Sequence, residues 1–229
     1  MSELDSAMLE QVAVFPLPRL VLFPGTTLPL HLFEPRYREM MEDTIASGAE
    51  LLVVAQLADG WREDYEGRPP IFKTAGLGRI KQHRKNDDGT HDVLLEGVAR
   101  VKLEELPEDG KRYRRASATV LHDAMPAAGL RNAELGALRS LATQVVQCVQ
   151  KNDPAFRLLA TVEEQQNDPA RFIDKVADQL VPDPDARQQI LETLDVATRL
   201  QRVSAALAQL HLALLASDRD DGDDGDDGG

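Results

Sequence analysis

Between Phe15 and Tyr37 the chain reads Phe-Pro-Leu-Pro-Arg-Leu-Val-Leu-Phe-Pro-Gly-Thr-Thr-Leu-Pro-Leu-His-Leu-Phe-Glu-Pro-Arg-Tyr, strand-forming residues interrupted by prolines where a regular strand does not accept them. Proline has no amide hydrogen to give a ladder and holds φ fixed, so it belongs at strand ends, edges and turns. Val12, Val14 and Phe15 form a short apolar run that Pro16 and Pro18 are expected to end. Pro24-Gly25 is a turn dipeptide, and Leu28, Leu30 and Leu32 follow at period two. The segment therefore predicts two strands joined by a rigid apolar connection.

The next hundred residues keep a strand rhythm with one helix near their start. Pro35 suits a first helical turn, and Tyr37, Met40, Met41, Thr44 and Ile45 share one face up to Gly48. That helix is expected to cover an end of the sheet. Glu50 to Leu57 is nearly continuous apolar sequence, the mark of a strand buried on both sides. After a loop from Ala58 to Pro70, Lys73 to Lys85 and Thr90 to Val98 flank the turn Asn86-Asp87-Asp88-Gly89 and predict a hairpin. Strands over Arg100–Leu106 and Tyr113–His122 bring the expected number to six or seven, enough to close a small barrel.

The motifs Leu51-Leu52-Val53-Val54-Ala55-Gln56, Ala75-Gly76-Leu77-Gly78-Arg79-Ile80, Asp88-Gly89 and Leu94-Leu95-Glu96-Gly97-Val98-Ala99-Arg100 follow the opening segment in a familiar order. Over residues 12–121 this order and spacing resemble the amino-terminal, substrate-binding domain of Lon proteases, a module shared with stand-alone bacterial proteins and cereblon-type proteins. The resemblance implies an α+β chain: a small antiparallel β pseudo-barrel (PUA-like) with one helix, then a C-terminal α-helical bundle. The expected parts are residues 1–124 for the barrel, 125–216 for the helices and 217–229 for a disordered acidic Asp/Gly tail. It also implies a stand-alone member without the ATPase and peptidase parts.

From Ala128 onward helices replace strands. Asp153-Pro154, Asp168-Pro169 and Asp183-Pro184 each set a capping carboxylate before a proline suited to the first helical position. Leu200, Val203, Leu207, Leu210 and Leu214 give the last helix a narrow apolar seam. That seam either packs on Leu135, Leu138, Leu141, Val145 and Val149 of the first long helix or joins a second copy. Cys148, alone and beside Val145, Val146 and Val149, reads as a buried inert thiol.

Searches for reaction chemistry return little. There is no Gly-x-x-x-x-Gly-Lys-Ser/Thr phosphate loop and no Gly-x-Ser-x-Gly, and neither Ser47 nor Ser140 has an activating partner in sequence. Gly76-x-Gly78 lacks the third glycine of a dinucleotide fingerprint and reads as a bend or close approach in a strand. The histidines His31, His83, His91, His122 and His211 lack zinc spacing, and Asp218, Asp220 and Asp223 imitate a calcium loop without its closing Glu. No enzyme, cofactor or metal is expected.

The formal net charge is −13. Residues 218–229 hold seven Asp and one Arg, a net −6 that leaves −7 on the rest. An acidic body argues against phosphate-backbone binding as the main task. No apolar run approaches the roughly 20 residues of a membrane span and the start lacks a signal-peptide pattern, so a cytoplasmic protein is expected.

What remains is polypeptide binding. An apolar crevice where barrel and helices meet is expected to be lined by Phe23, Leu32, Phe33 and Tyr37, each of which is core if the crevice is elsewhere. Trp61 and Tyr65, in a polar loop, either cap the barrel end or face a partner. The leading function is a non-catalytic receptor for unfolded or exposed apolar polypeptide, a monomer or weak homo-oligomer that works with or against a separate protease. The alternative is an RNA-binding pseudo-barrel using the basic run Lys111-Arg112-Tyr113-Arg114-Arg115.

Overall fold

The computed structural model describes residues 9–64, 67–148 and 168–220. Within them lie β1 (Val12–Leu17), β2 (Thr27–Leu32), α1 (Pro35–Ser47), β3 (Leu51–Gln56), β4 (Thr74–Lys85), β5 (His91–Glu105) and β6 (Arg114–Leu121). Four further helices follow: α2 (Asn132–Cys148), α3 (Pro169–Leu180), α4 (Pro184–Glu192) and α5 (Val196–Asp220). The chain divides into two units between His122 and Asp123.

The six strands form one mixed sheet in the order β2-β5-β4-β3-β1-β6, with β6 also pairing to β5. The expectation of a wholly antiparallel barrel is corrected on two points. First, β1 and β3 run parallel, Ala13–Leu17 against Leu52–Gln56. Parallel neighbours need a long crossover, and β2 and α1 are that crossover. Second, the six strands do not close into one barrel, because β2 pairs only with β5 among the described residues and leaves an open edge. Gly97 N donates to Thr26 O, so alternation turns the backbone groups of Thr27, Pro29 and His31 to that edge. Pro29 removes a donor there and so blunts it against strand addition.

Pro16 does not end β1, as the sequence had implied; it lies inside the strand. Leu57 N donates to Leu17 O, which puts the odd-numbered residues of β1 toward β3 and Pro16 toward β6. The pairing with β6 stops at Val14, so no ladder bond is missing at Pro16. The two strands expected over Thr90–Leu106 are one 15-residue strand. No turn breaks them, because the first half pairs with β2 and the second with β6 while β4 runs beside most of the length.

Two apolar clusters lie on opposite faces of the sheet. One gathers Val12, Val14, Leu51, Val53, Leu77, Val101 and Ala116; the other gathers Phe15, Leu52, Val54 and Leu95 with Tyr37, Met40 and Met41 of α1. β3 contributes alternate residues to both and is buried along its whole length, as its continuous apolar run predicts. The start and stop of α1 match the sequence, with Pro35 in its first turn and Gly48 at φ 68° closing it.

Leu22 and Phe23, in the connection between β1 and β2, lie directly on the sheet. A Cβ at Gly76 would stand 2.1 Å from Leu22 O, and one at Gly97 would stand 2.0 Å from Phe23 O. The Gly-x-Gly of β4 is therefore a close backbone approach. Gly76→Ala is expected to lower the unfolding free energy by about 2 kcal/mol or more in urea titrations. Gly48→Ala, which meets open space and only the left-handed backbone, costs about 1 kcal/mol. Equal losses at the two sites would contradict the close approach.

In the second unit Asp168 accepts from Arg171 N, and Asp183 accepts from Asp185 N and Ala186 N, so both proline-led starts are capped as read from sequence. The Asp153-Pro154 start and Val149 lie outside the described residues, as do residues 221–229 of the acidic tail; α5 reaches Asp220. α2 and α5 pack along one another, with Leu138, Val145, Leu200, Val203 and Leu207 buried. Cys148 is half-buried rather than buried.

Arg199 of α5 has a fully buried side chain, ion-paired to Asp123 and, at 3.3 Å, to the buried Asp174 of α3. Its Nε donates to Thr193 O at 2.9 Å. Removing one member of such a group strands a buried charge. Asp174→Ala should therefore cost about 3 kcal/mol or more, against about 1 kcal/mol for the capping Asp168→Ala, both read by chemical denaturation.

Candidate polypeptide-binding surface

Phe33 follows the last residue of β2, and the alternation of the strand sends Leu32 inward and Phe33 outward. Leu32 is 1% exposed and Phe33 is 63% exposed. The Phe33 ring stacks near His31, centroids 6.3 Å apart. His31 Nδ1 lies 2.7 Å from Asp92 Oδ1, and Arg84 binds the other oxygen of the same carboxylate at 2.6 Å. Hydrogen bonds from His31, Arg84 and Asn86 hold the Asp92 carboxyl far below the usual carboxylate range. This corner of the sheet thus sets one large apolar ring beside a firmly ionised acid.

Trp61 is half-buried in a short 3-10 helix, Trp61–Asp64, with the Arg62 guanidinium 4.9 Å from its ring centroid. Tyr65 lies outside the described residues. Phe23 and Tyr37 are buried, Tyr37 edge-on against Phe15 at 4.5 Å. Of the residues singled out from sequence, Phe33 and Trp61 are thus the two described ones that reach the surface. Strand alternation does not reveal that Phe23 is inside, since it sits in an irregular connection.

The basic run is not a free cationic strip. Lys111 Nζ lies 2.7 Å from Asp43, Arg112 Nε lies 3.5 Å from Glu39, and Arg115 is paired with Asp109. Tyr113 donates to Asp43 at 2.9 Å. The hydrogen bond from Lys111 is the main cause that lowers the Asp43 carboxyl, and burial is the main cause that raises the Tyr113 phenol. Arg114 is buried and donates to Pro69 O at 2.6 Å.

Behind that run lies a cavity of about 230 Å³, lined in part by Pro16, Leu57, Pro69 and Pro107 and by Arg36, Arg68 and Arg114. Sequence reasoning missed it. Its basic residues come from α1, from a loop and from β6, and no local pattern announces that they meet.

Two of the histidines, which lack zinc spacing in sequence, meet across the hairpin. His83 Nε2 lies 2.8 Å from His91 Nδ1, with the rings stacked. Among the described residues no group of three or more His, Cys, Asp or Glu is arranged to hold a metal ion. Burial, and then the neighbouring His83 and Lys85, lower His91 below its ordinary value of 6.5. A histidine that resists its proton when folded contributes its full stability above 6.5 and loses it as pH falls from there through its lower folded value. The drop in unfolding free energy between pH 7.5 and pH 5.5 should therefore be smaller in His91→Gln than in the wild type, measured by denaturation at each pH.

A family model described as the ATP-dependent protease La (LON) substrate-binding domain matches residues 11–209. The Lon protease of Phenylobacterium zucineum (strain HLK1) is 29% identical over 204 residues, covering 87% of this chain and 24% of that protein. The Lon protease of Escherichia coli (strain K12) is 25% identical over 197 residues, covering 86% and 24%. The chain spans about a quarter of the length of the curated relatives it matches. Among solved structures, the N terminal domain of Mycobacterium avium complex Lon protease superimposes with a TM-score of 0.63 at 16% identity, covering 87% of this chain and 98% of that one. The Lon N-terminal domain protein from Xanthomonas campestris does so with a TM-score of 0.60 at 21% identity, covering 85% and 97%. At such identities the likeness is one of fold. Among the described residues no helix is long and apolar enough to cross a membrane.

Proposed function

This chain belongs to the Lon substrate-binding domain family, and from that premise we propose that it is a non-catalytic receptor for unfolded or exposed apolar polypeptide segments. The observation that carries the reading is the family match across both units, in a domain described by what it binds. The matched model is a substrate-binding domain, so the role assigned here is recognition. A separate protease is the natural recipient of what the receptor collects.

Two aromatic residues support the reading: Phe33, a large ring mostly in solvent beside a blunted sheet edge, and, separately, the half-buried Trp61. Exposed aromatics of this kind carry a disproportionate share of binding energy at interfaces. The RNA reading has less support, since Lys111, Arg112 and Arg115 already face carboxylates and Arg114 is inside. A phosphate backbone would have to displace those partners.

The test is the affinity of the purified protein for a permanently unfolded, carboxymethylated reference protein. Binding in the micromolar range or tighter is expected, with Phe33→Ser and Trp61→Ala each weakening it about tenfold at unchanged thermal stability. Phe23→Ala, by contrast, is expected to act through folding and to cost about 3 kcal/mol or more. Wild-type binding that ignores both surface changes would remove Phe33 and Trp61 from the interface.

A further inference from the structure

Resting on that reading, we propose that the cavity beside Arg114 is a carboxylate site, which takes one acidic group of the bound polypeptide. The Arg114 side chain is 8% exposed, with its nearest carboxylate, Glu105, at 3.7 Å from Nε. Arg68 shares that carboxylate at 3.9 Å. Both separations exceed hydrogen-bond length. A guanidinium presents five donors, and Arg114 spends one bond on Pro69 O while its Nη1 has no hydrogen-bond partner among the described residues. Burying a charge with its donors unfilled is costly, so an acceptor arriving from outside is stabilised there.

Arg68, and Arg36, itself paired with Glu34 at 2.8 Å, stand near enough to act on Arg114 as like charges at the wall of the cavity. Its walls at Pro16, Leu57, Pro69 and Pro107 are aliphatic. At about 30 Å³ for each water, a volume of about 230 Å³ admits a carboxylate together with its methylene stem. Arg68 also pairs with Glu108 at 3.4 Å, and Asp109 stands on the rim. Charge alone does not choose between the two anions, because the arginines attract a doubly charged phosphate as much more strongly as these acids oppose it; the carboxylate is the anion that a polypeptide ligand carries. Nη1 is shielded from solvent, so the ligand meets it through a swing of the whole planar guanidinium about Cδ–Nε, which exchanges the bond to Pro69 O for bonds to the ligand. The planar fork then matches a carboxylate with two parallel bonds.

The test uses fluorescence anisotropy with one short labelled apolar peptide in three forms: a free C-terminal carboxylate, a C-terminal amide, and the amide with one internal Glu. At least one acidic form is expected to bind the wild type about tenfold tighter than the plain amide. A gain for the free acid alone assigns the site to chain termini, and a gain for the Glu form extends it to side chains; either supports the proposal. Arg114→Gln is expected to abolish the gain, so that the acidic forms and the plain amide bind it alike. Arg68→Gln, at a half-exposed position that leaves folding intact, should reduce the gain as well. Equal affinities of all three forms for the wild type, as for a cavity that holds only water, would overturn the site while binding of the unfolded reference protein kept the receptor reading. Competition by inorganic phosphate stronger than that by acetate would overturn the assignment to carboxylates. Absence of binding by every peptide form and by the unfolded protein would overturn both readings together.

Discussion

The parallel pairing of β1 with β3, buried on both faces, is the constraint on which the first unit depends. A parallel neighbour cannot be reached by a tight turn, so the chain between them has to travel, and it does so as β2 and α1. That excursion carries Leu22 and Phe23 across β4 and β5 so closely that only glycine fits beneath at positions 76 and 97. It also places α1 over one face of the sheet, where Tyr37, Met40 and Met41 complete the second apolar cluster. With about 1.5–3 kcal/mol gained for each large apolar side chain buried, a strand that feeds two clusters anchors both.

The same excursion shapes the molecular surface. Because β2 returns to the far edge of the sheet beside β5, its last residue turns inward and Phe33 is left in solvent. Because α1 lies near the start of β6, its acids Glu39 and Asp43 meet Lys111 and Arg112 of the basic run, while Arg115 pairs with Asp109. A run that looks cationic in one dimension is therefore largely internal ion pairing in three. Such exposed pairs contribute little to stability, but they decide how much positive potential reaches the solvent. Arg114 is the exception in the run, since its side chain points to the interior and its nearest acid stays beyond hydrogen-bond length.

How much of this could be read beforehand varied with the kind of signal. α1, the Asn86–Gly89 hairpin and the caps at Asp168 and Asp183 were legible because their determinants are local: a proline in the first turn, a glycine after the last, a carboxylate two or three residues from the amide it binds. The doubly buried β3 was legible because an unbroken apolar run has few other uses. Pro16 misled because a proline's effect depends on which neighbour its nitrogen faces, and that neighbour, β6, is about a hundred residues away. The division of β5 into two strands misled because its continuity is supplied by partners on both sides. The buried Arg199, with Asp123 and Asp174, carried no sequence signal, its members lying far apart along the chain.

Sequence alone determined α1, the doubly buried β3, the Asn86–Gly89 hairpin, the caps at Asp168 and Asp183 and the family to which the chain belongs. All of these rest on contacts between near neighbours in the chain, or on motifs that survive without coordinates. Tertiary structure alone decided that β1 and β3 run parallel, that Phe23 is inside while Phe33 is outside, and that three arginines from separate elements share one cavity. Those outcomes turn on long-range pairing and on the side of the sheet that each residue faces, which local periodicity does not encode.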